Sequence, residues 1–258
     1  MAIHNLSIFS GHEYSFRHSL SVVERFCIFA GEIEQVQLNH ELNINNKSNM
    51  DKEKNKEEFE ELLRSTNREG IDYVIGDLEE DGFFEAPASA GHHLNVEGGL
   101  CQHSLNVCHA ALMIWEGMKK LDPASMNEVK RESVIIASLL HDVCKTDIYR
   151  RAVKRRKNKA TGMWEDVDGY DISYKKFPMG HGEKSVIQLL LSGLALQDDE
   201  MLAIRWHMGA FGLNFNSYED ERCYDTARLE YPLCAIVQCA DGLAAAVIET
   251  TSEEIADL

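Results

Sequence analysis

Apolar side chains recur with the period of an α-helix in several separate segments of this chain. In one segment Ile136, Leu139, Leu140 and Val143 stand at spacings of i, i+3, i+4 and i+7. Three further segments carry related stripes: Val107, Ala111 and Ile114; Ile187, Leu190, Leu191 and Leu194; and Ile236, Cys239, Ala240, Leu243, Ala244 and Val247. Each stripe covers one helix face that must be buried against neighbours. Because only four prolines occur and strands do not alternate with helices, the sequence predicts an all-α helical bundle. Pro123 and Pro232 suit helix starts.

One segment, at about 147–176, breaks the helical pattern. Two turn signals lie within it, at 158–162 and at Asp168-Gly169. Around them stand residues typical of strands: Tyr149, Val153, Trp164, Val167, Tyr170, Ile172 and Tyr174. The segment is therefore predicted to form a β-hairpin inserted between helices.

The same segment is strongly basic, although the chain carries a net charge of −17. Seven positive residues fall within ten positions: Arg150, Arg151, Lys154, Arg155, Arg156, Lys157 and Lys159. They form either a solvated hairpin edge that charge protects from aggregation, or an electropositive lid over an anionic substrate. The overall negative charge disfavours non-specific binding of nucleic acid by the whole surface.

The first part of the chain differs from the rest. Residues 1–49 end in a polar stretch, and Met50 then opens a charged segment with apolar residues at Phe59, Leu62 and Leu63, which predicts a helix with one buried stripe. We interpret 1–49 as an N-terminal extension, either disordered or loosely packed, or as a reading frame extended beyond a true start at Met50. Residues 50–258 are the predicted functional domain.

The cysteines and the hydropathy pattern favour a cytoplasmic protein. Seven cysteines occur, an odd number, with no CxxC pair and no export signal. No apolar run approaches the ~18 residues needed to cross a bilayer. We therefore expect reduced thiols and no membrane partner, and the sequence leaves the oligomeric state open.

Isolated polar side chains interrupt the predicted apolar core. They are His103, His141, Asp142, His181, His207 and Asp241. A buried charge must be paired or must bind a metal, because an unpaired one is costly. One such histidine is more often a satisfied core residue, but four histidines with two aspartates favour a metal site. This donor set suits Fe, Mn, Ni or Zn better than Mg, which prefers oxygen.

The adjacent pair His141-Asp142 constrains that site further. Neighbours on a helix point about 100° apart. The two side chains can therefore converge on one ion only near a helix end, which leaves the carboxylate of Asp142 free to bridge to a second ion.

The ordered set of these residues resembles the HD-domain superfamily of metal-dependent phosphohydrolases, over roughly residues 71–250. The motifs that carry the resemblance are GGLCQHSLNV around His103, HDVCK at 141–145 and ADG at 240–242. The separate spacing of His181 and His207 is similar to the two-metal branch. The stretches FEAPAS, FPMGHGEKS and RWHMGAF resemble a group of small bacterial and phage HD hydrolases. The expected fold is thus an HD-domain helical bundle with an inserted β-hairpin.

The resemblance implies roles for individual residues. Two divalent transition metals are expected. The first would be held by His103, His141, Asp142 and Asp241. Asp142 would bridge to the second, which would also be held by His181 and His207. The alternative is that only one metal binds and these two histidines contact substrate phosphate directly. Lys145 matches the family lysine that faces substrate phosphate. Cys144 stands where the family often has glycine, and we expect it to crowd the pocket wall beside Lys145 without touching metal binding.

The implied function is hydrolysis of a phosphoester of a nucleotide or short nucleic acid through a metal-bridging hydroxide. Asp142 and Lys145 are the expected catalytic residues, and Lys145, Arg205 and His93 the expected substrate-binding ones. Arg205 lies two residues before His207 and therefore points elsewhere on the helix. For His93, a surface loop histidine is the favoured interpretation, and a proton donor at the site mouth is the functional one. The expected partner is a phosphorylated small molecule, a nucleotide or a nucleic-acid end. A di-iron oxygenase on the same scaffold and a non-catalytic nucleotide-binding protein are the alternatives.

Overall fold

The computed structural model describes residues 51–158, 161–214 and 217–250. The predictions for residues 1–49 and for Lys159 lie outside these ranges.

Within the described residues, helices form the bulk of the structure. In chain order they are α1 Lys52–Ser65, α2 Ile71–Asp81, α3 Gly99–Leu121, α4 Arg131–Leu140, α5 His181–Leu191, α6 Asp198–Trp206, α7 Tyr218–Glu230 and α8 Pro232–Leu243. Short 3-10 turns follow α4 at Val143–Asp147 and α6 at Gly209–Gly212, and a π-helical turn follows α8 at Ala244–Ile248.

The predicted hairpin is confirmed. Strand β1, Tyr149–Lys157, pairs antiparallel with β2, Trp164–Ile172, and these two strands form the only sheet among the described residues. The predicted all-α fold with an inserted hairpin is therefore confirmed.

Local chemistry explains several helix ends. The Asp51 carboxylate accepts a hydrogen bond from the Lys54 backbone N–H and caps α1. Pro232 occupies the first turn of α8, as predicted. Pro123 does not start a helix: it lies in the turn after α3, so that prediction is wrong.

The core is built mainly from α3, α4, α6 and α8, which pack against one another. Every residue from Ser133 to Leu140 in α4 is buried, so this helix lies at the centre. The predicted stripe on α5 is partly wrong, because Leu190 and Leu191 are exposed while Leu189 and Leu194 are buried. Three consecutive leucines at 189–191 fit more than one helix face, and tertiary packing selects Leu189. On α8 and the turn after it, Leu243 and Val247 are likewise exposed.

Carboxylates balance much of the positive charge of the hairpin. Across the strands Arg156 stands opposite Glu165, Arg155 lies 3.9 Å from Asp166, and Lys154 pairs with Asp171. Arg151 pairs with Glu97 in the loop before α3. This pairing favours the interpretation of the hairpin as a charged, solvated edge.

Within the described residues, no single helix has the length and apolar character to cross a membrane. One pair of consecutive helical segments meets both criteria when it is taken together: Tyr218–Glu230 and Pro232–Ile248. The chain bends by 100° between them.

Candidate metal centre

Asp142 lies at the centre of a buried cluster that contains all six predicted ligands. Its Oδ2 is 3.2 Å from Nε2 of His141 and 3.6 Å from Nε2 of His103. Its Oδ1 is 2.5 Å from Nε2 of His181 and 3.4 Å from Nε2 of His207. The two oxygens of one carboxylate therefore face two different pairs of histidines.

Asp241 joins the cluster from α8. Its Oδ1 lies 3.2 Å from Nε2 of His103 and 3.9 Å from Nε2 of His141. The His141 and His207 rings are 4.8 Å apart between centroids, so the two histidine pairs adjoin each other. Within two subsets the candidate ligand atoms all lie within 4.8 Å of one another: His103, His141 and Asp142, and His141, His207 and Asp241.

The ends of secondary-structure elements position these side chains. Helix α4 ends at Leu140, His141 caps it, and Asp142 leaves the helical conformation with φ −112° and ψ 17°. This break lets two adjacent side chains converge, which a continuous helix would prevent. His207 caps the end of α6 in the same way.

Hydrogen bonds donated by Nδ1 fix the orientation of three imidazoles. Nδ1 of His141 donates to the Ser138 carbonyl at 2.7 Å, and Nδ1 of His207 donates to the Ile204 carbonyl at 2.7 Å. Both carbonyls belong to the last turn of a helix, where backbone oxygens lack helical partners. Nδ1 of His103 donates to the Glu249 carboxylate at 3.0 Å. When it is neutral, each ring therefore keeps its Nε2 lone pair for the cluster.

This arrangement of lone pairs favours a bound cation, which is either a proton or a metal ion. Nε2 of His103 and Nε2 of His141 lie 3.3 Å apart, so their lone pairs face each other whenever both rings are neutral. Nε2 of His207 is buried and makes no hydrogen bond to another described residue. Neutral imidazole nitrogens and carboxylate oxygens converging in this way fit a divalent transition metal.

Lys145 and Asp142 form a buried ion pair in the cluster. Nζ of Lys145 lies 2.7 Å from Oδ2 of Asp142, and both groups are buried. Burial opposes ionisation of Asp142, but Lys145 and the neighbouring histidines outweigh it and hold the pKa of Asp142 well below its usual range. Burial also opposes the charge of Lys145, yet Asp142 raises the pKa of this ammonium above its ordinary value. Both groups are therefore charged at neutral pH.

Carboxylates also favour protonation of His103. Burial alone would lower the pKa of His103, but hydrogen bonds to Asp241 and Glu249 raise it to about 9. A buried proton on this ring takes the place that a metal cation would otherwise fill.

His181 enters the cluster at the start of α5. The helix begins at His181 itself, slightly earlier than the predicted start near Glu183. Its Nδ1 lies 3.6 Å from Sγ of Cys144. The Cys144 thiol, which directly precedes Lys145 in the chain, therefore also contacts the predicted ligand His181. Against the effect of burial, Asp142 raises the pKa of His181 to about 10.

The two remaining predicted site residues lie in different surroundings. The ring of His93 is 5.1 Å from that of His103 between centroids, so this loop histidine adjoins the cluster. Arg205 instead pairs with Glu183 at 2.5 Å and stacks on the Trp206 ring at 3.8 Å. The structure thus directs the Arg205 guanidinium to the contact between α5 and α6.

Glu249 is a site residue that the sequence did not reveal. It is 3% exposed, and besides binding His103 it accepts a hydrogen bond from the Asn106 side-chain amide at 2.9 Å. Burial alone would raise the pKa of Glu249, but its hydrogen bond to His103 lowers it, so the carboxylate is ionised. The one sequence signal is an acidic residue directly after the apolar run AAAVI.

The helical bundle and its buried cluster of histidines and aspartates at helix ends are the features of a helical metal-binding protein. Comparison with known proteins names the family: the family model described as HD domain matches residues 100–246, more than half of the chain. The chain belongs to the HD domain family, as its resemblance predicted. HD domains bind divalent metals, and the buried groups described above could hold them.

A curated relative from Methanocaldococcus jannaschii is also similar. It is named dihydroneopterin 2′,3′-cyclic phosphate phosphodiesterase and is 31% identical over 90 residues. The match covers 35% of this chain, which spans only 32% of the length of the relative. No solved structure matches the chain significantly.

Proposed function

We propose that this protein is a metal-dependent phosphohydrolase that cleaves a phosphoester of a nucleotide-like substrate at the cluster around Asp142. One observation carries the proposal: the two oxygens of Asp142 face separate histidine pairs. That is the arrangement a carboxylate needs in order to bridge two cations. Membership of the HD domain family supports it, as does the relative named for hydrolysis of a cyclic phosphate.

Six side chains would hold the metals. His103, His141, Asp142 and Asp241 would bind one ion, and Asp142, His181 and His207 the other. When bound, such ions lower the pKa of coordinated water towards neutrality and neutralise charge on phosphate oxygens. Because four of the donors are imidazoles, Fe, Mn, Ni or Zn fits better than Mg.

Other groups orient the metal ligands or would bind the substrate. Ser138, Ile204 and Glu249 hold three imidazoles in place through their Nδ1 protons. The Lys145 ammonium, buried beside Asp142, would donate to a phosphate oxygen. His93, half-buried beside His103, would donate a hydrogen bond to the leaving oxygen.

The test is turnover of a phosphoester panel by full-length protein loaded with Mn, Fe, Ni or Zn. The panel contains nucleoside 2′,3′-cyclic phosphates, nucleoside monophosphates and a short oligonucleotide. We expect His103→Ala to abolish activity, while His109→Ala on the same helix, half-exposed and paired with Glu58, retains it. Absence of turnover with every metal, or oxygen consumption by the iron form without phosphoester cleavage, would contradict the proposal.

A further inference from the structure

A cleft of about 490 Å³ lies between the base of the hairpin and the loop before α3. Loop residues 89–92 form one wall, and Tyr149, Lys154, Tyr170 and Ile172 form the other. This volume lies within the range of small-molecule sites, about 300–1,000 Å³.

The loop wall has a defined shape. The Ser89 hydroxyl donates to the His93 carbonyl at 2.9 Å and accepts from the His92 backbone N–H at 2.8 Å. The Asn95 side-chain amide donates to the Ala90 carbonyl at 3.1 Å. These bonds hold His92 at the cleft while its neighbour His93 packs beside His103.

The opposite wall also adjoins the metal centre. Tyr149 begins β1 one residue beyond the 3-10 turn Val143–Asp147 that carries Lys145. Strand β1 also packs against this turn, so the Tyr149 end of the cleft adjoins the segment that carries Lys145. A phosphate held by Lys145 would therefore have the rest of its molecule next to the cleft.

The lining is rich in aromatic rings. Tyr149 and Tyr170 are half-buried, and His92 faces them across the cleft. Flat π-faces stack favourably on heteroaromatic rings, whereas a short aliphatic alcohol offers them little contact. Lys154, paired with Asp171, adds a charged group to the wall.

We propose that this cleft binds the planar heteroaromatic ring of the substrate, so that the inserted hairpin selects nucleotide-like phosphoesters over ring-free ones. The proposal rests on the proposed phosphohydrolase function for its substrate, but the cleft can be tested without turnover. Tyr149, Tyr170 and His92 are the specificity-determining residues.

The first measurement is binding of adenosine and guanosine to metal-loaded, full-length protein by calorimetry. These nucleosides carry no phosphate, so they report on the cleft even if no phosphoester is cleaved. We expect binding to the unaltered protein, a loss of about tenfold in Tyr170→Ala, and retention in Tyr170→Phe. Trp164→Ala, an exposed aromatic at the far end of the same strand, should bind as the unaltered protein does.

The second measurement is the ratio of kcat/KM for adenosine 2′,3′-cyclic phosphate to that for glycerol 1,2-cyclic phosphate. We expect Tyr170→Ala to lower this ratio about tenfold, mainly through KM. Tyr170 lies outside the hydrophobic core cluster, and His92→Ala, at an exposed position, serves as the second variant if the first does not fold. Lack of nucleoside binding, or equal binding in Tyr170→Ala, overturns the cleft assignment. Failure to hydrolyse any phosphoester, with nucleoside binding intact, overturns only the proposed activity.

Discussion

Lys145 and Asp142 form a buried ion pair within the candidate metal centre. The two groups lie 2.7 Å apart and are buried. Removing one partner of a buried pair leaves an uncompensated charge and costs about 3–5 kcal/mol. A bound metal also neutralises Asp142, so it should compensate for loss of the lysine.

Lys145→Met should therefore destabilise the metal-free protein by about 3 kcal/mol and the metal-loaded protein by much less. Denaturant unfolding with and without metal measures both differences. Lys120→Met, at an exposed position near the end of α3, is the control and should have little effect in either state. An equal loss of stability in both states would contradict the account.

Glu249 is a positioning residue, since its carboxylate contacts Nδ1 of His103 rather than the Nε2 atom that faces Asp142 and Asp241. Replacing it by Gln keeps the shape but removes the negative charge that orients and polarises the ring. We expect Glu249→Gln to weaken metal affinity about 10- to 100-fold, measured by competition with a chelator. Glu116→Gln, on the exposed face of α3, should leave the affinity unchanged. Unchanged affinity in Glu249→Gln would assign this carboxylate a purely structural role.

The six ligand candidates could be predicted because each is a polar residue inside a locally apolar stretch. Glu249 could not, because its partner His103 lies 146 residues away and no local spacing connects them. The contacts of Arg205 could not be predicted either. Its position near His207 suggested a role in the site, but where α5 packs on α6 its guanidinium pairs with Glu183 and stacks on Trp206.

At the level of elements, α5 and α6 make an unusually close contact. A Cβ atom at Gly182 would lie 2.2 Å from the backbone oxygen of Arg205. Such a distance requires the two helices to separate. Because His181 and His207 lie at neighbouring positions on these helices, the contact sets the distance between them.

Gly182→Ala should destabilise the protein by about 1–3 kcal/mol and reduce occupancy of the metal site at His181 and His207. Gly117→Ala, in α3 with open space around its Cα, should be neutral or slightly stabilising. Thermal unfolding and metal content measure the two effects. Full metal content in Gly182→Ala would show that the helix contact does not position these histidines.

The elements themselves were largely predictable. The helical period indicated α3, α4, α5 and α8, and alternating strand residues around turn signals indicated β1 and β2. The buried face of α5 was not predictable, because the leucine run at 189–191 has no clear period and the choice depends on neighbouring helices. The convergence of helix ends on one point is likewise a property of tertiary packing.

Across the whole molecule, the cluster joins segments far apart in the chain. Its side chains come from α3, the ends of α4 and α6, the start of α5 and α8. A cation bound there crosslinks the core in the native state only, so it stabilises the fold by mass action.

Adding metal at about 100 times its Kd should thus raise the Tm by about 5–10 °C relative to protein treated with a chelator. Scanning calorimetry measures the shift. The variant His103→Ala should lose most of it, while the exposed-site variant His109→Ala keeps it. A Tm insensitive to metal would mean that the cluster is satisfied by protons alone.

The central claim is that Asp142 bridges two metal ions, and counting metal ions per chain tests it most directly. Elemental analysis of unaltered protein, Asp142→Ala, His181→Ala and the exposed control Asp122→Ala should give two, none, one and two ions respectively. Retention of an ion by Asp142→Ala, or a metal content in His181→Ala equal to that of the unaltered protein, would contradict the account.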